Sequence, residues 1–210
     1  MRRGVQFKIP PQDIQIPDLY NIIFIQGEIV EETALDVSQK LLSIELLNKT
    51  NDTNEPVTLF INSGGGLVSS AWQICDMMDF ISTPVHTVGV GLVASAALII
   101  LMNGSKGARK VTDRTSIMSH RFSGGTIGNH SNLIAANKEF ETMHDRMIKH
   151  YIECTGLEKH QIEERLLLEH DKWLTPAEAK KLNLIDEIVE SNKSKRLKEE
   201  RNKRENKRRK

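Results

Sequence analysis

Asn21-Ile22-Ile23-Phe24-Ile25-Gln26 is a short apolar run closed by Gly27, and the stretch after it, Glu31 to Asn48, repeats apolar residues at Ala34, Val37, Leu41 and Leu42. The run has the length of a buried strand, and the stretch has the spacing of an amphipathic helix. The unit then recurs. Val57-Thr58-Leu59-Phe60-Ile61 predicts a strand, Gly64-Gly65-Gly66 intervenes, and Val68, Ala71, Trp72, Cys75 and Met78 share one face of a helix. Val85 to Val90 predicts a third strand, and Thr115-Ser116-Ile117-Met118-Ser119 a fourth that ends at His120. Strands alternating with helices call for right-handed crossovers, so the expected class is α/β with a largely parallel sheet built from βαβ units.

Beyond His120 lies Ser123-Gly124-Gly125-Thr126-Ile127-Gly128, and then a helical pattern from Asn129 to Cys154. At about 25 residues this helix exceeds the usual globular length, so it is expected to project or to pack against another subunit. Thr175-Pro176-Ala177-Glu178 has the form of a capping box with proline at the first helical position, and Asn183 suits the left-handed residue that ends the helix.

Ser95 falls where an apolar run turns from strand to helix, within the uncharged stretch Val88 to Met102. That stretch is shorter than the ~20 residues that span a bilayer, and Gly89 and Gly91 interrupt it, so a buried strand and helix is the better assignment. Two readings of Ser95 stand side by side: a small packing residue, or a nucleophile. A helix starting there leaves the Ala96 N–H as a first-turn donor able to face a developing oxyanion. The three glycines are also open to two readings. A phosphate cradle would need a following Lys-Ser or Lys-Thr, which is absent, whereas a glycine amide at the strand tip can approach a substrate carbonyl as an oxyanion donor.

The chain has 210 residues with 39% hydrophobic content, enough for one compact core at the ~100–200 residues typical of a domain. Two cysteines, Cys75 and Cys154, stand far apart on helix-like segments. They do not form a disulfide framework, which points to a reducing compartment. No apolar run follows Arg2 and Arg3, so the N-terminus does not read as a secretory signal, and an intracellular location is expected. The net charge of +1 conceals a division: residues 191–210 hold eleven Lys or Arg against three Glu, leaving residues 1–190 at −7. Lys193 to Arg204 has almost no apolar residue and is expected to be disordered or a solvated helix, either as a solubilising tail or as a contact for nucleic acid or an acidic partner.

Four segments together resemble the proteolytic subunit of the Clp protease, a family of serine peptidases: Phe60-Ile61-Asn62-Ser63-Gly64-Gly65-Gly66, Gly91-Leu92-Val93-Ala94-Ser95, Ile117-Met118-Ser119-His120, and Asp171-Lys172-Trp173-Leu174-Thr175-Pro176-Ala177-Glu178-Ala179. They occur in the family's order, and the resemblance runs from about Ile22 to Val189. It implies a crotonase-like α/β fold with a protruding handle helix. Ser95 then becomes the nucleophile, His120 the general base, Asp171 the residue that orients the histidine, and Gly66 and Ala96 the oxyanion donors. Gly64, Gly65, Gly124, Gly125 and Thr126 become substrate-binding positions. Taken singly, His120 reads first as a structural histidine at a strand end and Asp171 as a solvated loop acid. The chemistry needs the set, because a serine hydroxyl must lose its proton to an imidazole whose tautomer a carboxylate fixes. The other six histidines read as surface or packing residues.

The resemblance further implies an ATP-independent serine endopeptidase that cleaves peptides or unfolded proteins through an acyl-enzyme, with no metal and no cofactor. It implies a homo-oligomer of two stacked seven-subunit rings, with an AAA+ unfoldase as a possible partner and a cytoplasmic location, a plastid stroma or a virus-infected cell being the alternatives. Residues 1–20 fall where the family lines its axial pore and are shorter than usual, residues 21–190 form the protease domain, and residues 191–210 are the basic tail. The chain departs from the family pattern at Gly64, where proline is common, and at Leu92, Ala96 and Arg121-Phe122, where the family commonly has Gln, Met and Gln-Pro. Glu169 and His170 occupy places where the family often has an acidic residue and an arginine bridging the rings; an imidazole titrates near neutrality where a guanidinium does not, which implies pH-dependent stacking. Other readings are a catalytically silent structural subunit and a maturation protease dedicated to one assembly, for example a viral one.

Overall fold

A computed structural model describes residues 21–196, 200 and 201. The proposed pore segment 1–20 lies outside the described residues, as does most of the basic tail. The order of elements is β1 (Ile22–Ile29), α1 (Glu31–Asn51), β2 (Val57–Gly66), α2 (Val68–Phe80), β3 (Val85–Ala94), α3 (Ala96–Met102), β4 (Arg109–Thr112), β5 (Ser116–Ser119), α4 (His130–Thr155), α5 (Lys159–Arg165), β6 (Lys172–Leu174), α6 (Pro176–Lys181) and β7 (Glu187–Val189). Strands β1-β2-β3-β4-β7 are hydrogen-bonded in that order, and every pairing among them is parallel. The expected α/β class is therefore the observed one.

Two predicted strands run further than their apolar residues suggest. β2 continues through Gly64-Gly65-Gly66, so the glycines are its tip and not a loop beyond it, and β3 continues from Val90 to Ala94. A fault in β3 makes the extension possible. Ile61 pairs with Gly89, yet Ser63 pairs with Val93, so β3 carries an irregularity between these rungs. Gly91 takes φ +73 there, a value that only glycine adopts at low cost. Asn62 spans the fault: its Oδ1 accepts a hydrogen bond from the Leu92 N–H at 3.1 Å. Before the fault, β3 pairs with β4; after it, with β5. The sheet thus forks at the point from which Ser95 projects.

Helix α3 is buried over its whole length, which accounts for an apolar run with no polar face. It packs on α2, β2, β3 and α4, and α2 packs in turn on α1. Helix α1 buries Ala34, Val37, Leu41 and Ile44, while Leu42, expected on the same face, is turned toward solvent at 39% exposure. Its C-terminal half is tied to the α2–β3 corner by Glu45, whose carboxylate accepts hydrogen bonds from Ser82 and from the Thr83 amide and hydroxyl, with Lys49 2.8 Å away. Those partners hold the Glu45 carboxyl far below its ordinary range, Lys49 foremost.

The long helix exists as α4. The Asn129 side chain accepts from the Asn132 N–H at its start, and Gly156 ends it in the left-handed region. The α6 capping box also forms, since Thr175 and Glu178 satisfy each other's backbone donors, and Asn183 takes φ +56. Cys75 and Cys154 are free thiols. Residues 192–196 are helical, and Ser194 donates to Asp113 at 2.9 Å. Among the described residues no helix is long and apolar enough to cross a membrane.

Candidate active site

Two ladders of backbone hydrogen bonds bring three distant side chains together. The parallel pairing of β3 with β5 sets Ala94 beside Met118, and the Ser95 N–H donates to the Met118 carbonyl at 2.9 Å. The antiparallel pairing of β5 with β6 sets Ser119 opposite Lys172, so the next residues outward, His120 and Asp171, face each other. His120 Nε2 lies 2.7 Å from Ser95 Oγ, and His120 Nδ1 lies 3.1 Å from Asp171 Oδ1. An ionised carboxylate only accepts hydrogen bonds, so Nδ1 carries the proton and Nε2 is left to accept from the serine hydroxyl. A hydroxyl in this geometry can lose its proton to Nε2 as it attacks. His120 is 25% exposed and Asp171 is 54% exposed, so the acid end of the relay is open to water.

Ser95 caps α3 with φ +56 and ψ −124, a conformation that L-residues seldom adopt. Such strain holds a side chain at the apex of a strand-to-helix turn, clear of the backbone on either side. Ala96 is the first residue of α3, so its N–H has no acceptor within the helix. Gly65 passes against this turn. A Cβ added to it would fall 2.8 Å from the Ala94 carbonyl oxygen and from Ser95 Cβ, and 3.1 Å from the Ala96 nitrogen. The Ser63 hydroxyl accepts from the Gly65 N–H at 3.0 Å and fixes the approach.

The remaining positions expected from the sequence are more scattered. Gly66 sits beside Ile29 of β1, whose backbone fills the place a Cβ would take, and Gly64 faces Leu92. Gly124, Gly125 and Thr126 are exposed in the irregular segment 120–129, where Gly124 lies against the Phe140 ring of α4 and Gly125 faces open space. His150 is a packing residue, edge-on to Trp72 and hydrogen-bonded to the Ile99 carbonyl; burial pushes its imidazole below the ordinary value. Glu169 and His170 are both exposed.

The grouping of some contributors was not visible in the sequence. A cavity beside Ser95 is walled by Val68, Ala96, Ile99, Phe122, Met147 and Tyr151. The Tyr151 and Ser119 hydroxyls, 2.9 Å apart, bind α4 to the strand that carries His120, and burial pushes the Tyr151 phenol up to about 12. Strand β4 was missed as well; Arg109 on it forms a two-pronged ion pair with Asp186 that joins β4 to the approach of β7. Nothing local marks these contacts, because Tyr151 and Ser119 meet across 32 positions of chain and Arg109 and Asp186 across 77. Among the described residues no cluster of His, Cys, Asp or Glu is placed to hold a metal ion.

A family model described as Clp protease matches residues 17–192. The chain is also similar to a solved structure, a point variant of ClpP1 from Listeria monocytogenes, with 34% identity and a TM-score of 0.72; the match covers 83% of this chain and 94% of that one. Fold, motif order and family model agree over the same residues, and the chain belongs to the Clp protease family.

Proposed function

We propose that this protein is the serine endopeptidase core of a Clp-type assembly and that it hydrolyses peptide bonds through an acyl-enzyme on Ser95. The observation that carries the reading is the continuous hydrogen-bonded line from Ser95 Oγ through the His120 ring to Asp171, at 2.7 and 3.1 Å. Ser95 Oγ attacks the substrate carbonyl carbon while its proton passes to His120 Nε2. Negative charge gathers on the carbonyl oxygen, where the Ala96 and Gly66 amides act as donors. His120 then gives the proton to the departing amine as the C–N bond breaks. A water attacks the ester by the same route, and the acid product and free Ser95 result. Asp171 holds the Nδ1 tautomer and offsets the charge of the imidazolium.

No step of this chemistry needs ATP; energy enters only where a folded substrate must be unfolded. Backbone groups of residues 120–129, Gly124, Gly125 and Thr126 included, offer an edge to which an extended substrate adds as a strand, beside Gly64 and Gly65. The proposed assembly is two stacked seven-subunit rings in the cytoplasm, with α4 at the ring-to-ring contact. Exposed Phe24 and Phe80 are suited to an AAA+ unfoldase.

The test is labelling of the assembled protein with a fluorophosphonate probe, followed by peptide mapping. Label is expected on Ser95 and is expected to vanish in His120→Ala. Absence of label in the wild type would assign the chain to the silent-subunit alternative. Digestion of unfolded casein, with and without an AAA+ unfoldase, separates a self-sufficient peptidase from a partner-dependent one.

A further inference from the structure

The pocket beside Ser95 offers about 10 Å³, room for roughly one water molecule or one methyl group. The residue whose carbonyl is attacked has its Cα bonded directly to the reacting carbon. A pocket walled by both Ser95 and Ala96 is within reach of the side chain on that Cα. Most of its walls cannot yield: Ala96, Ile99, Met147 and Tyr151 are all at most 3% exposed and belong to the hydrophobic core. Tyr151 is held further by its hydrogen bond with Ser119.

Phe122 is different. It belongs to the irregular segment 120–129 and is only half-buried. Its position is set by Arg121, whose Nε donates to the Leu167 carbonyl at 2.7 Å, and by the Phe140 ring, with centroids 6.0 Å apart. Val68 and Phe122 are the two apolar walls outside the fully buried set, and Phe122 is the one carried by the irregular segment that follows His120. We infer that Phe122 is the specificity-determining residue of the cleft and restricts the residue before the scissile bond to glycine, alanine or serine. The inference rests on acylation at Ser95 and names the substrate class for that site.

The experiment uses the full-length assembled protein and peptidyl coumarin amides that differ only in the residue before the cut: glycine, alanine, leucine or phenylalanine. One methylene in an apolar pocket changes kcat/KM by about 10–200-fold. Alanine is therefore expected to exceed leucine and phenylalanine by at least about tenfold. In Phe122→Ala, and to a smaller degree in Phe122→Leu, the leucine-to-alanine ratio is expected to rise by about tenfold or more. The ratio is measured within one preparation, so it does not depend on the fraction of active protein, and the milder variant reports where the larger truncation fails to assemble. A wild type that prefers leucine or phenylalanine, or a ratio unmoved in both variants, overturns the inference and leaves acylation standing. Failure of the fluorophosphonate to label Ser95 overturns both.

Discussion

Ser95 combines two properties that pull against each other. Its φ of +56 is unfavourable for any residue with a Cβ, yet it is the conformation from which the hydroxyl reaches His120. Ser95→Gly relieves the strain and Ser95→Ala keeps it, although both remove the hydroxyl. The glycine variant is therefore expected to be the more stable by about 1 kcal/mol, after the added backbone entropy of glycine is set against the strain relieved. Thermal melts of the two variants check this, and an alanine variant that melts higher would show the turn to be unstrained. At the far end of the relay, Asp171→Asn keeps the shape and loses the charge. It is expected to lower kcat by about 10³–10⁴-fold with KM little changed, measured on a peptide amide. These residues were legible in the sequence because each ends a recognisable segment. Phe122 was legible only as a departure from the family pattern, and Tyr151 not at all, because a pocket wall has no local pattern.

The fork in β3 is the decisive feature at the scale of elements. One strand serves two neighbours, β4 before the fault and β5 after it, and the second pairing delivers His120 to Ser95. Periodicity located the start of β3 but stopped at Val90, since glycines read locally as interruptions; here Gly91 is what lets the strand bend and continue. Helix α1 holds its corner by a charge. The Glu45 carboxyl is held below its ordinary value of 4.5 by Lys49, Ser82 and Thr83, so the unfolded chain binds the extra proton as pH falls. Stability from this group is fully present above about pH 4.5 and declines below it. Glu45→Gln is expected to lower Tm at pH 7, and the gap from wild type is expected to close as pH falls from about 4.5 toward 3. A gap that stays constant with pH would assign the loss to packing instead of charge.

For the whole molecule, the acidic body and basic tail carry opposite charge, and exposed Leu133 and Ile134 on α4 remain for a partner to cover. Glu169 and His170 lie exposed just before Asp171. If they meet their counterparts across the rings, His170 offers Glu169 a partner, and His170→Ala removes it. Native mass measurement of His170→Ala is expected to show a smaller share of double rings than the wild type. An unchanged stoichiometry would remove His170 from the contact.

The sequence by itself determined the elements that depend on neighbours in the chain: the 3.6-residue periods of α1, α2 and α4, the capping box of α6, the left-handed Asn183, and the family motifs that contain Ser95, His120 and Asp171. Such signals are local, because helix spacing and caps are satisfied within a few residues. Tertiary structure decided the rest. It set the register that places His120 opposite Asp171, the split of β3 between two partner strands, the short strands β4, β6 and β7, and the size of the pocket that Phe122 helps to wall. These depend on hydrogen bonds and packing between residues far apart in the chain. The same apolar letters are compatible with many registers until the core chooses one. The residues of the candidate site could thus be named from the order of their motifs, while the distances between them belong to the folded chain.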